Sequence, residues 1–106
     1  MILESAVLDV KPVREAEFEA AMRQARPVIA ATPGFVGMNL HRCVEVPNRY
    51  LLLVSWRAFE DHTMGFRKSD RYGQWRELLH HFYNPFPNVE HYQEALALED
   101  ADVAGS

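Results

Sequence analysis

The feature that most constrains the fold is the apolar run from Tyr50 to Val54, which contains three consecutive leucines. The run is too short to cross a bilayer, because a membrane-spanning helix needs about 20 apolar residues. In a strand, successive side chains point to opposite faces of the sheet, so an unbroken apolar run indicates that both faces are covered. We therefore predict a sheet in which the strand Arg49–Trp56 is buried on both sides.

The spacing of apolar residues around this strand predicts a regular order of strands and helices. Further strands are predicted at 2–10, 35–45 and 89–96, and helical segments at 13–31, 59–67 and 69–82. The order βαββαβ predicts an α+β, ferredoxin-like fold, a four-stranded antiparallel sheet with helices on one face. In the second strand, alternation predicts Val36, Met38 and Leu40 on one face and Phe35 on the other.

Helices on one face leave the other face of the sheet uncovered. Because the strand Arg49–Trp56 is apolar on both sides, a second surface must cover that face. The simplest candidate is the sheet of a second copy related by a twofold axis. We predict a homodimer that forms through the open sheet face.

Composition indicates one ordinary globular domain, with 48% hydrophobic and 25% charged residues. We predict a single domain over 1–98 and a flexible tail over 99–106. The net charge of −4 and the scattered basic residues argue against a nucleic-acid partner. No signal peptide or membrane segment is expected. The single cysteine, Cys43, fits a reducing compartment, so we expect a cytoplasmic protein.

Three segments stand out in this order of strands and helices: Thr32–Phe35 at the start of the second strand, Leu52–Trp56 at the end of the third, and Phe66–Tyr72 between the helical segments. Together they resemble the antibiotic biosynthesis monooxygenase family, also called the dimeric α+β barrel group. The resemblance runs from Ile2 to about Tyr92. It implies the ferredoxin-like domain and its pairing into a dimeric barrel.

The family spans several activities, so the resemblance does not name one reaction. Members similar to the actinorhodin-type enzyme oxidise phenolic polycyclic substrates with O2 and without a cofactor. In that comparison Trp56 matches the family tryptophan that lines the pocket. Leu52 stands where those enzymes have an asparagine, and His62 where they have a tyrosine. Other members oxidise quinols, degrade haem, or catalyse isomerisations.

The haem-degrading members differ from this chain at the positions that matter for haem. Their asparagine, tryptophan and axial histidine correspond to Ser5, Phe66 and Arg76 here. Because an axial ligand is missing, the resemblance does not imply haem degradation of that type.

His62 is the candidate catalytic residue. An ordinary imidazole pKa near 6.5 lets a histidine take and return a proton near neutral pH. Cofactor-free oxygenation needs that step, because a phenolate or enolate can pass an electron to O2 far more readily than the neutral acid. The alternative is a histidine that only forms a hydrogen bond at a helix surface.

Four aromatic residues are candidates for binding a flat substrate. They are Trp56, Phe66, Tyr72 and Trp75. Aromatic residues at helical spacing also fit a plain hydrophobic core, and for Phe66 and Trp75 the core interpretation is favoured.

The histidine and cysteine pattern does not predict a metal site. His80 and His81 point about 100° apart on a helix, so they cannot readily share one ion. His41 and Cys43 share a strand face but lack a third ligand.

The resemblance, with His62 as the base, implies a monooxygenase without metal or organic cofactor, which acts on a small planar phenol or quinol with O2. One alternative is a non-catalytic dimer that binds an apolar small molecule, or a stress-related accessory protein. Another is an isomerase or lyase in which His62 moves a proton without O2.

Overall fold

The computed structural model describes residues 1–98, so the expected tail at 99–106 lies outside the described residues. In this part the strands are Ile2–Asp9 (β1), Phe35–Arg42 (β2), Arg49–Trp56 (β3) and Val89–Gln93 (β4). The main helices are Glu15–Ala30 (α1) and Asp70–Leu79 (α2). A π-helical turn spans Asp61–Phe66 and a 3₁₀ turn spans His80–Phe82.

The four strands form one antiparallel sheet in the order β2-β3-β1-β4, with the helices on one face. The predicted ferredoxin-like α+β fold is therefore confirmed. β1 and β3 are the inner strands, which explains why their apolar residues are so dense. None of the helices within residues 1–98 is long and apolar enough to cross a membrane.

The hydrophobic core lies between the sheet and the helices. Alternate residues of β1 and β3 point into it, because side chains of a strand alternate between the two faces. Helix α1 contributes residues at spacings of four, three and four to the core, and this is the spacing of one helical stripe. These α1 residues are Phe18, Met22, Ala25 and Ile29.

The start of β2 departs from the predicted alternation. The pairing of β2 with β3 shifts between Phe35 and Gly37, so that Phe35 lies opposite Trp56. This irregularity brings Phe35 to the core side, where Met38 also packs, and its ring meets the Trp56 ring at 5.8 Å. The prediction that Phe35 and Met38 lie on opposite faces was therefore wrong, because a bulge adds one residue to the strand.

The other face of the sheet keeps apolar residues at its surface. In the single chain Leu51 is 37% exposed and Val7 is 48% exposed, on the two inner strands. These side chains alternate with the buried ones, so they point away from the helices. We call the surface formed by Leu3, Val7, Leu51 and Leu53 the open sheet face.

Candidate functional site

The site is organised around His62, which lies on the π-helical turn that follows β3. This turn contains the backbone bond from Arg67 N–H to the His62 carbonyl, at 3.0 Å, which spans five residues. The carboxylate of Asp61 accepts a hydrogen bond from the Ala58 N–H at 3.0 Å and closes the loop before the turn. Such single π-helical turns are frequent at functional sites. Here the turn directs the His62 side chain into the interior, where it is 3% exposed.

Gly34 allows the start of β2 to approach this turn. Its φ is +92°, a left-handed conformation that favours glycine. A Cβ at this position would lie only 2.1 Å from Oδ2 of Asp61. The Arg57 N–H also donates to the Gly34 carbonyl at 2.8 Å. The close contact between Gly34 and Asp61 fixes the turn before His62, and this contact explains why the Thr32–Phe35 segment contains a glycine.

Glu4 is a buried carboxyl on the core side of β1, 6% exposed. Trp56, the last residue of β3, donates a hydrogen bond from Nε1 to Oε1 of Glu4 at 2.9 Å. The same oxygen lies 3.4 Å from Nε2 of His62. The indole of Trp56 also stacks on the His62 ring, with 5.4 Å between centroids and 20° between planes. Trp56 therefore holds both members of a Glu4–His62 pair.

His91 completes the cluster from β4. It lies opposite Glu4 in the pairing of β1 with β4, so both side chains point to the core side of the sheet. Nε2 of His91 lies 2.7 Å from Nδ1 of His62, a hydrogen-bonding distance between two imidazoles. His91 is partly exposed, and the Phe59 ring packs edge-on against it at 4.7 Å.

Burial controls the charge of this cluster. Burial, with smaller contributions from the positive charge of Arg67 and from His91, lowers the pKa of His62 to about 3. Burial likewise raises the pKa of Glu4, although the Trp56 hydrogen bond and Arg67 act in the opposite direction. The pKa of His91 is also lowered, mainly by burial. Because its pKa lies far below 7, His62 is a neutral imidazole at neutral pH.

A cavity of about 40 Å³ lies beside this cluster, between the sheet and the helices. Four of the candidate residues line it together: His62, Phe66, Tyr72 and Trp75. Glu4 also lines the cavity. Trp56 is not among the described residues that line the cavity. Trp56 is fully buried and lies behind His62, so its direct contact with a substrate stays a prediction.

Sequence reasoning missed two members of the cluster. Glu4 alternates with the core residues Ala6 and Leu8, so a carboxyl on the buried face of a strand was the available signal. His91 gave no such signal, because it was isolated in sequence and only the strand pairing brings it beside Glu4. Tyr83 was missed as well. It lines the cavity, and burial raises the pKa of its phenol, so its hydroxyl stays available as a hydrogen-bond donor.

The cluster is not arranged as a metal site. Glu4 faces Nε2 of His62, whereas His91 faces Nδ1 on the other side of the ring. One ion cannot bind both nitrogens of the same imidazole, so the three residues do not converge on one point. Within residues 1–98 no group of three or more histidine, cysteine, aspartate or glutamate residues is placed to hold a metal ion.

Solved structures share this fold over nearly the whole chain. One is the structure of a Bordetella bronchiseptica protein whose name assigns it to the antibiotic biosynthesis monooxygenases. It is 41% identical to this chain, with a TM-score of 0.86, and the match covers 90% of this chain and 97% of that one. The cofactor-independent oxygenase SnoaB from Streptomyces nogalater has a TM-score of 0.79 over 92% of this chain and 95% of its own. At 18% identity, SnoaB is evidence for the fold alone.

Sequence comparison gives the family. The protein YczJ from Bacillus subtilis (strain 168) is 50% identical over 94 residues, which cover 89% of this chain and 99% of YczJ. The profile of the family described as antibiotic biosynthesis monooxygenase matches residues 1–78. That match extends from β1 nearly to the end of α2 and includes Glu4, Trp56 and His62. The chain therefore belongs to the antibiotic biosynthesis monooxygenase family.

Proposed function

We propose that the chain is a monooxygenase that oxidises a small planar phenol- or quinol-type substrate with O2, without a metal or an organic cofactor. The observation that supports this proposal best is the Glu4–His62 pair, two titratable groups buried beside an aromatic-lined cavity. Perturbed titratable groups in a cavity are typical of sites that transfer protons. Membership of the family supports a monooxygenase-type reaction, and the substrate class is our inference.

In the proposed reaction the pair acts first as a base. It takes a proton from a substrate methylene group that is activated by a phenol ring, and the resulting carbanion passes electrons to O2. The peroxide anion formed on that carbon takes the proton back and loses water, which leaves a carbonyl group. Over the whole reaction, one methylene group and one O2 give one carbonyl group and one water, so four electrons leave the carbon and no outside reductant is needed.

Two features of the site suit this chemistry. His62 is uncharged at neutral pH, so its Nε2 can take on the proton that the adjacent Glu4 carboxylate accepts from the substrate. Both ring nitrogens of His62 already face protein groups. We therefore assign the base to the Glu4–His62 pair rather than to His62 alone. Phe66, Tyr72 and Trp75 would then bind the flat face of the substrate.

The direct test is O2 uptake by metal-free protein with a panel of hydroquinones, naphthols and anthrones. The wild-type protein is expected to consume O2 with at least one anthrone, because the anthrones are the compounds of the panel that carry an activated methylene group. His62→Gln and Glu4→Gln should lower the rate by a factor of about 100 or more, the usual range for loss of a general base. His81→Gln, an exposed histidine away from the cavity lining, is the control and should keep the wild-type rate. No uptake with any compound of the panel would contradict the proposal.

We also propose that the protein is a homodimer and that the open sheet face is its interface. Leu51 and Val7 are partly exposed on the two inner strands, where a twofold axis would bring two sheets together face to face. A domain of this size buries only about two-thirds of its unfolded surface, so covering this face would add substantially to its stability. The helices already cover the opposite face, which leaves this face as the place for a second copy.

A further inference from the structure

Three titratable side chains form a row that leads from the cavity toward solvent. Glu4 lines the cavity and is buried, His62 is the buried middle member, and His91 is the partly exposed outer member. The links are 3.4 Å between Oε1 of Glu4 and Nε2 of His62, and 2.7 Å between Nδ1 of His62 and Nε2 of His91. The two links use opposite nitrogens of the same imidazole, which is the arrangement that lets a ring accept a proton on one side and release one on the other.

We propose that Glu4, His62 and His91 form a proton relay between the cavity and solvent, an inference that rests on the proposed function. The substrate gives its proton to the Glu4 carboxylate. The proton then moves to Nε2 of His62, while Nδ1 of His62 passes its own proton to Nε2 of His91. Nδ1 of His91 releases a proton to water. One proton enters the row and one leaves it, and the reverse sequence returns a proton to the peroxide.

The proposed chemistry requires that the abstracted proton be separated from the substrate anion. If the proton stayed on Glu4, it would lie beside the substrate anion and could recombine with it before O2 reacts. Moving one charge outward along the row separates the proton from the anion. In this role Glu4 meets the substrate and is the catalytic residue, whereas His91 acts through His62 and is a positioning residue.

The surroundings favour proton transfer over free rotation of the rings. Trp56 stacks on the His62 ring and holds its plane, while the Phe59 ring packs edge-on against His91. Arg67 is the neighbouring cation that acts on all three members of the row, and it disfavours a proton resting on either imidazole. A proton that enters the row is therefore expected to pass through it rather than remain.

The geometry is tested without any substrate. In protein labelled with ¹⁵N-histidine, a hydrogen bond between Nδ1 of His62 and Nε2 of His91 gives a nitrogen–nitrogen coupling across the bond. The coupling is expected in the wild-type protein and in the control His81→Gln, and it should disappear in His91→Gln. The exchange of the His62 ring proton with water should slow at least tenfold in His91→Gln. A wild-type protein without this coupling, or unchanged exchange in His91→Gln, would overturn the relay.

Turnover gives a second and separate readout. His91→Gln preserves a polar side chain but cannot pass a proton, so its kcat is expected to fall at least tenfold with KM unchanged. Added imidazole should restore much of the lost rate, whereas His81→Gln should need no rescue. If the wild-type protein consumes O2 and His91→Gln has the same kcat, the relay is wrong and the proposed function stands. If the wild-type protein consumes no O2, the proposed function fails, and the exchange measurement alone decides the relay.

Discussion

The indole nitrogen of Trp56 donates a hydrogen bond of 2.9 Å to Oε1 of Glu4, although 52 positions separate the two residues in the chain. The bond joins the end of β3 to the core face of β1, the two inner strands of the sheet. It gives the buried carboxyl a partner, without which its burial would be costly. A structural hydrogen bond therefore also fixes one member of the proposed catalytic pair.

Trp56→Phe is expected to lower the free energy of unfolding by about 2–4 kcal/mol, because it removes this donor and part of a fully buried side chain. In a Glu4→Leu background the same substitution should cost less by about 1 kcal/mol, since the carboxyl that lost its partner is then absent. Urea unfolding of the four proteins in this cycle measures both quantities. Strictly additive effects would show that the hydrogen bond adds nothing to stability.

The stability of the protein should fall at acid pH because His62 resists protonation. Its pKa is about 3 in the folded protein and about 6.5 when unfolded, so between these values the unfolded chain binds a proton that the folded one does not. The free energy of unfolding then falls as pH falls, by up to about 1.4 kcal/mol per pH unit. Glu4 acts in the opposite direction above pH 4.5, because its pKa is raised by folding.

This effect is isolated by comparing the wild-type protein with His62→Gln, which cannot titrate. Urea unfolding from about pH 3.5 to 6.5, the interval between the folded and unfolded pKa values of His62, should give a shallower dependence for the variant. The clearest difference is expected below pH 4.5, where Glu4 contributes little. Parallel curves for the two proteins would mean that His62 is protonated in the folded state as readily as in the unfolded state.

Gly34→Ala should destabilise the protein by about 2 kcal/mol or more. Its left-handed φ costs an alanine about 1–2 kcal/mol, and the new Cβ would meet the Asp61 carboxylate at 2.1 Å. Gly73→Ala is the matched control, because its Cβ would meet nothing within 4 Å and it lies inside α2. There alanine should stabilise by about 0.5–1 kcal/mol. Thermal unfolding should thus shift the two variants in opposite directions.

How far the sequence specifies the molecule can be seen from individual residues. Periodicity predicted the order of strands and helices, because Phe18 and Met22 on a helix and Leu52 and Val54 on a strand repeat at the spacing of a buried face. Periodicity predicted the wrong face for Phe35, because a bulge moves a side chain to the other face of the sheet and the alternation of apolar and polar residues does not reveal it.

The site shows the same division between local and long-range information. His62 was identified from one position in a family pattern. Its partners Glu4 and His91 come from the first and last strands, and they meet only because β1 pairs with β4. No local sequence pattern predicts the pairing of β1 with β4. The sequence alone therefore predicted His62 as a candidate base but not Glu4 and His91, the two residues that contact it.

The proposed dimer predicts that a charge on the open sheet face dissociates the protein. Leu51→Glu would place a carboxylate on the apolar open sheet face, and burying an unpaired charge in an interface costs several kcal/mol. The dissociation constant of the dimer should rise about a hundredfold or more. Val44→Glu, at a 90% exposed position outside β2 and β3, is the control and should leave the dimer intact. Light scattering after size exclusion gives the mass, and a monomeric wild-type protein would contradict the proposal.

Phe86 is the side chain expected to control entry to the cavity. The cavity of about 40 Å³ is far smaller than the roughly 300 Å³ or more that a pocket for a drug-sized ligand occupies, so an aromatic substrate must displace some of its lining. Among the lining residues Phe86 is 64% exposed, and its ring packs edge-on against His80 at 4.9 Å. Moving an exposed ring costs less than moving a buried one, because fewer packing contacts are lost.

Phe86→Ala should therefore speed the binding of a naphthol several-fold, while the free energy of unfolding changes by less than about 1 kcal/mol. Stopped-flow fluorescence measures the association rate, and Met64→Ala is the control, because Met64 is about as exposed but does not line the cavity. An association rate equal to that of the wild-type protein would mean that substrate enters elsewhere, for example beside Arg67. Among the described residues, Phe86 makes no hydrogen bond or ring contact with Glu4 or His62. A faster association rate in Phe86→Ala together with an unchanged kcat would therefore indicate that substrate entry and proton transfer are separate steps.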